Sequence, residues 1–193
     1  TLERPWNIVF TGVGGTGVTT VAAIIAMAAH IDGNASTTLD MTGLAQKYGP
    51  VFSYVRVAKT PADITAGRVP PAAADALIAC DLVVAASGDA LVLLDKTRTR
   101  CVANHDVTPT AQFVQDRTRT FEADLLASRV AKQVSGFSAI EAEALAEEYL
   151  YDAIFTNMVM LGFAWQKGLV PVTLRAVYRA LKLNGVAIEA NMQ

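Results

Sequence analysis

The sequence predicts an α/β fold, in which a mostly parallel sheet is flanked by helices and followed by a helical C-terminal extension. Up to residue 121, short apolar runs typical of buried strands alternate with longer helical segments. Strands and helices that take turns along a chain form parallel sheets with right-handed crossovers. From residue 122 onward the pattern predicts helices almost throughout. We therefore expect one domain, residues 1–193, with a sheet-forming part at 1–121 and a helical part at 122–193.

The predicted strands are short runs of apolar or β-branched residues between turn residues. The intervening helices are predicted at residues 18–30, 72–80 and 90–96. The apolar run at 81–86 is interpreted as a central parallel strand. The full set of predicted strands covers residues 7–11, 36–40, 51–57, 81–86 and 100–104, and Phe121 closes a last one.

The helices of the C-terminal part are predicted from their capping residues. Side chains of Ser, Thr and Asp accept hydrogen bonds from the first free N–H groups of a helix, and glycine ends a helix in the left-handed conformation. Ser138 and Glu141 form a capping box for a helix at 139–149, Asp152 begins a helix that reaches Lys167, and Thr173 begins one that Gly185 ends.

The composition excludes several classes of function. The net charge is −2 and no basic block is present, so the chain lacks the electrostatic footprint of a nucleic-acid-binding protein. The longest apolar run, residues 21–29, is much shorter than the roughly 18 residues that a membrane-spanning helix needs. No secretory signal pattern opens the chain, which favours a cytoplasmic location. Cys80 and Cys101 are too few for an iron–sulfur cluster with four thiolate ligands.

The hydrophobic content of 52% lies above the usual range for a soluble domain. A parallel sheet that is covered on both faces accounts for it, because its strands are near-continuous apolar runs. Apolar surface that is buried against partner domains is a second, compatible explanation. Since the first residue is Thr1 rather than Met, we expect a segment of a longer polypeptide or complex.

A glycine-rich loop connects the first predicted strand to the first predicted helix. Residues 12–17 (GVGGTG) match G-x-G-x-x-G directly after a strand and at the start of a helix. Glycine permits positive φ and close approach of a ligand to the backbone. The helix N-terminus adds unpaired N–H groups and a partial positive charge, which favour an anion. The candidate binding residues of this loop are Gly12, Gly14, Gly15, Thr16 and Gly17, and the hydroxyls of Thr16, Thr19 and Thr20 are further candidate donors.

The glycine loop by itself leaves two alternatives open. In a Rossmann-like dinucleotide-binding domain, Asp40 at the end of the second strand would take the place of the acid that binds ribose. Alternatively, the loop serves only the packing of a helix against its strand. A stand-alone NAD(P)-dependent oxidoreductase would also need an acid–base set, and neither His30 nor His105 belongs to a recognisable one.

A second motif, TGLAQKYGPVFSYVR at residues 42–56, follows the second predicted strand. Open α/β sheets bind ligands at the carboxyl ends of their strands, and this segment is expected near that edge. Gln46, Lys47 and Arg56 are each suited to a phosphate or a carboxylate, and Ser53 lies on the same predicted strand as Arg56. As solvated polar residues, however, they would need no function.

Three motifs together resemble the gamma domain of 2-oxoacid:ferredoxin oxidoreductases, and most closely the version in indolepyruvate ferredoxin oxidoreductases. They are GVGGTGVTT, TGLAQKYGPVFSYVR and, in the helical part, TNMVMLGFAWQKGLVP. The resemblance spans residues 5–191, with the three motifs in the family order. One departure is Tyr48, where the family commonly has glycine in Lys-Gly-Gly, so the turn after Lys47 is expected to differ in detail.

The resemblance implies a role within a larger enzyme that oxidatively decarboxylates a 2-oxoacid, transfers the acyl group to coenzyme A and passes electrons to ferredoxin. It implies thiamine diphosphate, Mg²⁺ and iron–sulfur clusters on other domains or subunits. For this domain it implies no catalytic residue and no metal ligand. Its implied role is to close the active-site cleft and help bind coenzyme A, through the glycine loop with Gln46 and Lys47. A third hypothesis is a purely structural module whose apolar helices mediate assembly.

Overall fold

The computed structural model describes residues 2–42, 49–106 and 119–192. The strands in these ranges are β1 (Trp6–Val13), β2 (Ala35–Thr42), β3 (Pro50–Ala58), β4 (Ala76–Ala79), β5 (Arg100–Asn104) and β6 (Gly136–Ile140). These six strands form one sheet in the order β2-β3-β1-β4-β5-β6. The sheet is flanked by helices on both faces, as the sequence predicted.

The sheet is mostly parallel, and β3 is the strand that runs against the others. β1, β4, β5 and β6 pair in parallel, whereas β3 pairs antiparallel with both β1 and β2. Residues 43–49 are the whole connection between β2 and β3, too short for the crossover that parallel neighbours require. The chain therefore returns alongside β2, and β3 occupies the position between β2 and β1.

The helices divide into two layers. The described ranges contain α1 (Val18–Ile31), α2 (Leu82–Ala85), α3 (Gly88–Leu91), α4 (Arg119–Ala131), α5 (Ala142–Leu150), α6 (Thr156–Gln166), α7 (Leu174–Asn184) and α8 (Ile188–Asn191). α1, α6 and α7 pack on one face of the sheet, and α2 and α4 pack on the other. The side chains of β1 alternate between the two cores, with Ile8 and Phe10 facing the α1 layer and Val9 facing the α2 layer.

The sequence prediction reversed strand and helix between residues 72 and 86. The strand is β4, inside the predicted helix 72–80, and the predicted strand 81–86 contains α2. The carboxylate of Asp81 accepts a hydrogen bond from the Val84 amide at 2.8 Å and so begins α2. A short apolar run has no periodicity that separates a buried strand from a buried helix, so this cap was the informative signal.

Two predictions in the C-terminal part were also wrong. Phe121 lies in α4 and not in a strand. Ser138 lies in β6 and forms no capping box, and α5 begins only after Glu141, whose side chain makes no capping hydrogen bond. The sheet therefore extends beyond the boundary at residue 121, and α4 is the crossover between β5 and β6.

The predicted helix at 90–96 is also wrong in its bounds, because α3 spans Gly88–Leu91 and ends five residues earlier. The boundaries of α1, α6 and α7 agree closely with the sequence prediction. Thr173 accepts a hydrogen bond from the Ala176 amide, and Gly185 ends α7 in the left-handed conformation. Asp152 caps a short 3₁₀ turn (Ala153–Phe155) that leads directly into α6. None of the helices in the described residues is long and apolar enough to span a membrane.

Candidate functional site

The glycine loop joins the carboxyl end of β1 to the N-terminus of α1. Gly12 lies in close contact with the Val18 side chain and beside Cys80, so a Cβ at position 12 would occupy the space of Val18. This close approach brings the first turn of α1 down onto the end of β1. Glycine at position 12 is therefore required by packing, whatever the loop binds.

The central part of the loop faces open space. Gly15 and Gly17 have φ of 88° and 87°, which is the left-handed region that glycine adopts most readily. A Cβ built on either residue would meet no atom of the described residues within 4 Å. These two glycines are therefore needed for the path of the backbone, and the surface above them is accessible to a ligand.

The N-terminus of α1 lacks the usual protein partners of a helix N-terminus. Gly17 supplies no capping side chain, and no acidic residue lies in the first turn. In the glycine loop and the first turn of α1, the amides of Gly15, Gly17, Val18, Thr19 and Thr20 find no acceptor among the described residues. Free N–H groups and the positive end of the helix dipole together favour an anion.

Thr16 is tied into the protein through each of its polar groups. Its amide and its Oγ1 donate to the Val13 carbonyl at 3.4 and 2.8 Å, respectively. Nδ2 of Asn157, at the start of α6, donates to the Thr16 carbonyl at 2.6 Å and to Thr16 Oγ1 at 3.3 Å. The hydroxyl proton of Thr16 is thus used within the loop, although Thr16 is exposed, as Thr19 and Thr20 are. Sequence reasoning had placed Asn157 in a motif without assigning it a role.

Gln46 and Lys47 lie outside the described residues, so their predicted role as anion ligands remains a prediction. Gly49, the first described residue after them, lies beside the glycine loop, since the Gly14 amide donates to the Gly49 carbonyl at 2.9 Å. Gly49 immediately precedes β3, whose first residue, Pro50, pairs with Val13. Gly49 and Pro50 of the second motif therefore lie at the same edge of the sheet as the glycine loop.

Arg56 lies at the opposite edge of the sheet, contrary to the expectation from the sequence. Because β3 is antiparallel, Arg56 pairs with Asn7 at the start of β1, roughly 17 Å along the strand from Gly12. Its Nε donates to Asn7 Oδ1 at 2.9 Å, and Nη1 donates to the Ala66 carbonyl at 2.6 Å. Ser53 is fully buried in the middle of β3, in register with Phe10. Neither residue reaches the glycine loop.

Asp40 is also displaced from the position that a dinucleotide-binding domain would give it. In that domain the second strand lies next to the first, whereas here β3 separates β2 from β1. Two strand spacings put β2 about 10 Å from β1. Asp40 is exposed on the edge strand, and this arrangement does not support a ribose-binding role.

The chain matches the protein family described as "Pyruvate ferredoxin/flavodoxin oxidoreductase" over residues 7–193. That match covers nearly the whole chain. The chain belongs to this family. Its resemblance to the gamma domain of these oxidoreductases, stated above from three motifs, is thereby confirmed at the level of the family.

Relatives and solved structures agree with this membership of the pyruvate ferredoxin/flavodoxin oxidoreductase family. The chain is 28% identical over 195 residues to the indolepyruvate oxidoreductase subunit IorB of Pyrococcus horikoshii, covering 98% of this chain and 92% of that protein. The IorB subunit of Archaeoglobus fulgidus is 29% identical over 183 residues, covering 91% of this chain and 84% of that protein.

The fold is shared with solved oxidoreductase structures. The pyruvate oxidoreductase subunit PORC of Thermotoga maritima aligns with a TM-score of 0.68 at 16% identity, covering 98% of this chain and 92% of that chain. The 2-oxoglutarate:ferredoxin oxidoreductase of Magnetococcus marinus, solved with 2-oxoglutarate, coenzyme A and succinyl-CoA bound, aligns with a TM-score of 0.70 at 17% identity. It covers 98% of this chain but only 29% of that longer chain.

The cysteines of this family member do not fit an iron–sulfur cluster. Cys80 packs against the core of the α1 layer, and Cys101 is buried in the core of the α2 layer, so they lie on opposite faces of the sheet. Burial raises the pKa of both thiols, to about 12 for Cys80, which keeps them protonated at neutral pH. In the described ranges, no group of three or more His, Cys, Asp or Glu side chains is suited to a metal ion.

Proposed function

We propose that this chain is a non-catalytic gamma domain of a 2-oxoacid:ferredoxin oxidoreductase whose glycine loop helps to bind coenzyme A. The open N-terminus of α1 carries the proposal, because its amides are free and no described side chain covers the backbone at Gly15 and Gly17. The names of the IorB relatives favour an indolepyruvate-like 2-oxoacid as the substrate of the assembled enzyme. The same proposal includes a cytoplasmic location and a native chain that is part of a longer polypeptide or complex.

The diphosphate of coenzyme A is the ligand group that this loop suits best. A negative group at a helix N-terminus gains on the order of 0.3–1 kcal/mol from the helix dipole, and more through hydrogen bonds to free amides. The open space above Gly15 and Gly17 allows phosphate oxygens to approach the backbone closely. The proposed ligand residues are Gly12, Gly14, Gly15, Thr16, Gly17, Gln46 and Lys47, with Gly12 and Thr16 acting through the shape of the loop.

We assign thiamine diphosphate, Mg²⁺ and the iron–sulfur clusters to other domains or subunits. Electrons then pass to ferredoxin through the assembled enzyme. Within the described residues, no cluster of three or more His, Cys, Asp or Glu side chains is suited to a metal ion. The domain therefore contributes binding surface and shape, and its isolated form is expected to be inactive.

The proposal is tested by placing a competing carboxylate at the N-terminus of α1. Thr20→Glu puts a negative charge among the free amides, where it stabilises the helix by about 0.5 kcal/mol and excludes an anionic ligand. Calorimetric titration of the assembled enzyme with coenzyme A is expected to show at least about tenfold weaker binding. The matched control is Thr65→Glu, an exposed position in the segment next to Ala66 and Arg56, away from the loop.

The contribution of the second motif is tested by Lys47→Ala in the same titration. A cation near a phosphate is expected to be worth about 1 kcal/mol or more, so coenzyme A should bind several-fold more weakly. Unchanged affinity in Thr20→Glu would remove the glycine loop from the site. Unchanged affinity in Lys47→Ala alone would remove only that residue.

An assembly role has its own supporting observation in the helical layer. α5, α6, α7 and α8 surround an apolar groove of about 700 Å³, lined in part by Tyr149, Met158, Phe163 and Trp165. Beside it, Tyr151 and Ile154 are 90% and 71% exposed. Contiguous exposed apolar surface is typical of interfaces. Light scattering of the chain alone tests this role, and a clean monomer that binds no partner subunit would contradict it.

A further inference from the structure

Asn157 links the third sequence motif to the glycine loop. It is the second residue of α6, its side chain is 6% exposed, and its Nδ2 donates to the Thr16 carbonyl at 2.6 Å and to Thr16 Oγ1 at 3.3 Å. We propose that Asn157 is a positioning residue that holds the glycine loop in its binding conformation. The expected effect of Asn157 on coenzyme A binding rests on the proposed function, whereas its expected effect on the conformation of the loop does not.

The direction of these hydrogen bonds is fixed by proton counting. Thr16 has one hydroxyl proton, which it donates to the Val13 carbonyl at 2.8 Å. Thr16 Oγ1 therefore acts as the acceptor toward Asn157, and the amide of Asn157 must present Nδ2, not Oδ1, to Thr16. The carbonyl of Thr16 is thus turned toward α6. The neighbouring amides of Gly15 and Gly17 are left without an acceptor among the described residues.

The loop needs such an anchor because of its glycines. Gly15 and Gly17 flank Thr16 in the left-handed region, and glycine loses more conformational freedom on ordering than any other residue. Asn157 is held in place by the burial of α6, since Met160, Leu161 and Ala164 pack in the core of the α1 layer. A loop fixed by a rigid helix avoids part of the entropy cost of ordering when a ligand binds.

The test compares Asn157→Ala with Asn104→Ala in the assembled oxidoreductase. Asn104 is a matched control, since it is 3% exposed and its Oδ1 accepts hydrogen bonds from the amides of Ala142 and Asp106. Hydrogen exchange of the peptide that covers residues 12–20 reports on the loop without any ligand. Steady-state kinetics with coenzyme A as the varied substrate report on binding, through KM measured separately from kcat.

Asn157→Ala is expected to speed exchange in residues 12–20 by about tenfold and to raise the KM for coenzyme A several-fold at unchanged kcat. Asn104→Ala should change neither. Unchanged loop exchange in Asn157→Ala, or an equal increase in Asn104→Ala, would overturn the positioning role. Faster loop exchange with an unchanged KM would support the positioning role and contradict the proposed coenzyme A site.

Discussion

Asp32 and Thr173 join the end of α1 to the start of α7. The Asp32 carboxylate accepts a hydrogen bond from the Thr173 amide at 2.6 Å and another from Thr173 Oγ1 at 2.7 Å. Thr173 Oγ1 in turn accepts from the Ala176 amide at 3.2 Å, which caps α7. A carboxylate at the C-terminus of one helix is unfavourable by itself, but here it lies at the N-terminus of the next. The helical part is thereby fixed to the helix that carries the glycine loop.

Removing this link is expected to destabilise the fold. Asp32→Ala leaves the Thr173 amide without its carboxylate partner and weakens the cap of α7, at a cost of about 1–2 kcal/mol. Urea unfolding measures the loss, with the exposed Glu147→Ala as a control that should stay within about 0.5 kcal/mol of the unchanged chain. Equal stability of both variants would show that the contact contributes nothing.

Two glycine substitutions are expected to act in opposite directions. Gly12→Ala places a Cβ in the space of the Val18 side chain and should cost about 1–3 kcal/mol through overpacking. Gly162→Ala lies within α6, where a Cβ meets nothing within 4 Å, and should stabilise the chain by about 0.5–1 kcal/mol. Thermal unfolding of the two variants tests whether Gly12→Ala lowers the stability and Gly162→Ala raises it. An unchanged stability of Gly12→Ala would contradict the close contact with α1.

The buried carboxylate of Asp75 organises the amino edge of the sheet. It is 1% exposed, forms an ion pair with Arg4 at 2.6 Å and accepts a hydrogen bond from the Asn7 amide at 2.8 Å. Asp75→Ala leaves the buried Asn7 amide unpaired and is expected to cost about 3 kcal/mol. Arg4→Ala should cost about 1 kcal/mol or less, because the Arg4 side chain is 49% exposed and Arg98 Nε, 3.4 Å from the same carboxylate, remains as a cationic partner. Urea unfolding distinguishes the two, and similar losses would contradict this difference.

The two thiols predict a loss of stability at alkaline pH. Burial raises the pKa of Cys80 to about 12 and raises that of Cys101 as well, above the value in the unfolded chain. Above about pH 9 the unfolded chain loses these protons while the folded chain retains them, so the free energy of unfolding falls as pH rises toward the folded pKa. Each thiol contributes up to about 1.4 kcal/mol per pH unit in that window.

The measurement is urea unfolding under reducing conditions at several pH values. A Cys80→Ala, Cys101→Ala double variant is expected to be less stable near neutral pH, because it loses core volume. Its stability should nevertheless fall less steeply than that of the unchanged chain above about pH 9. Parallel pH profiles of the two proteins would show that the thiols are not responsible.

The sequence predicted the first strand and helix, the glycine loop between them and the boundaries of α7, because local chemistry determines these features. Glycine spacing, capping side chains and a long apolar helix act over a few residues. The assignment failed at 72–86 and at Ser138, where short apolar runs fit a strand or a helix equally well. At these places the neighbouring strands decide, since β4 and β6 gain their hydrogen bonds from β1 and β5.

The strand, the glycine loop and the helix that follows it are readable from the amino-acid sequence, and its three motifs indicate the family. Which residues lie close to that loop depends on the tertiary structure. The short return after β2 makes β3 antiparallel, which moves Arg56 to the opposite edge and separates Asp40 from β1. Burial of α6 against the same core brings Asn157 to Thr16, 141 positions earlier in the chain. Strand direction and helix packing arise from long-range burial, which local patterns along a single chain do not specify.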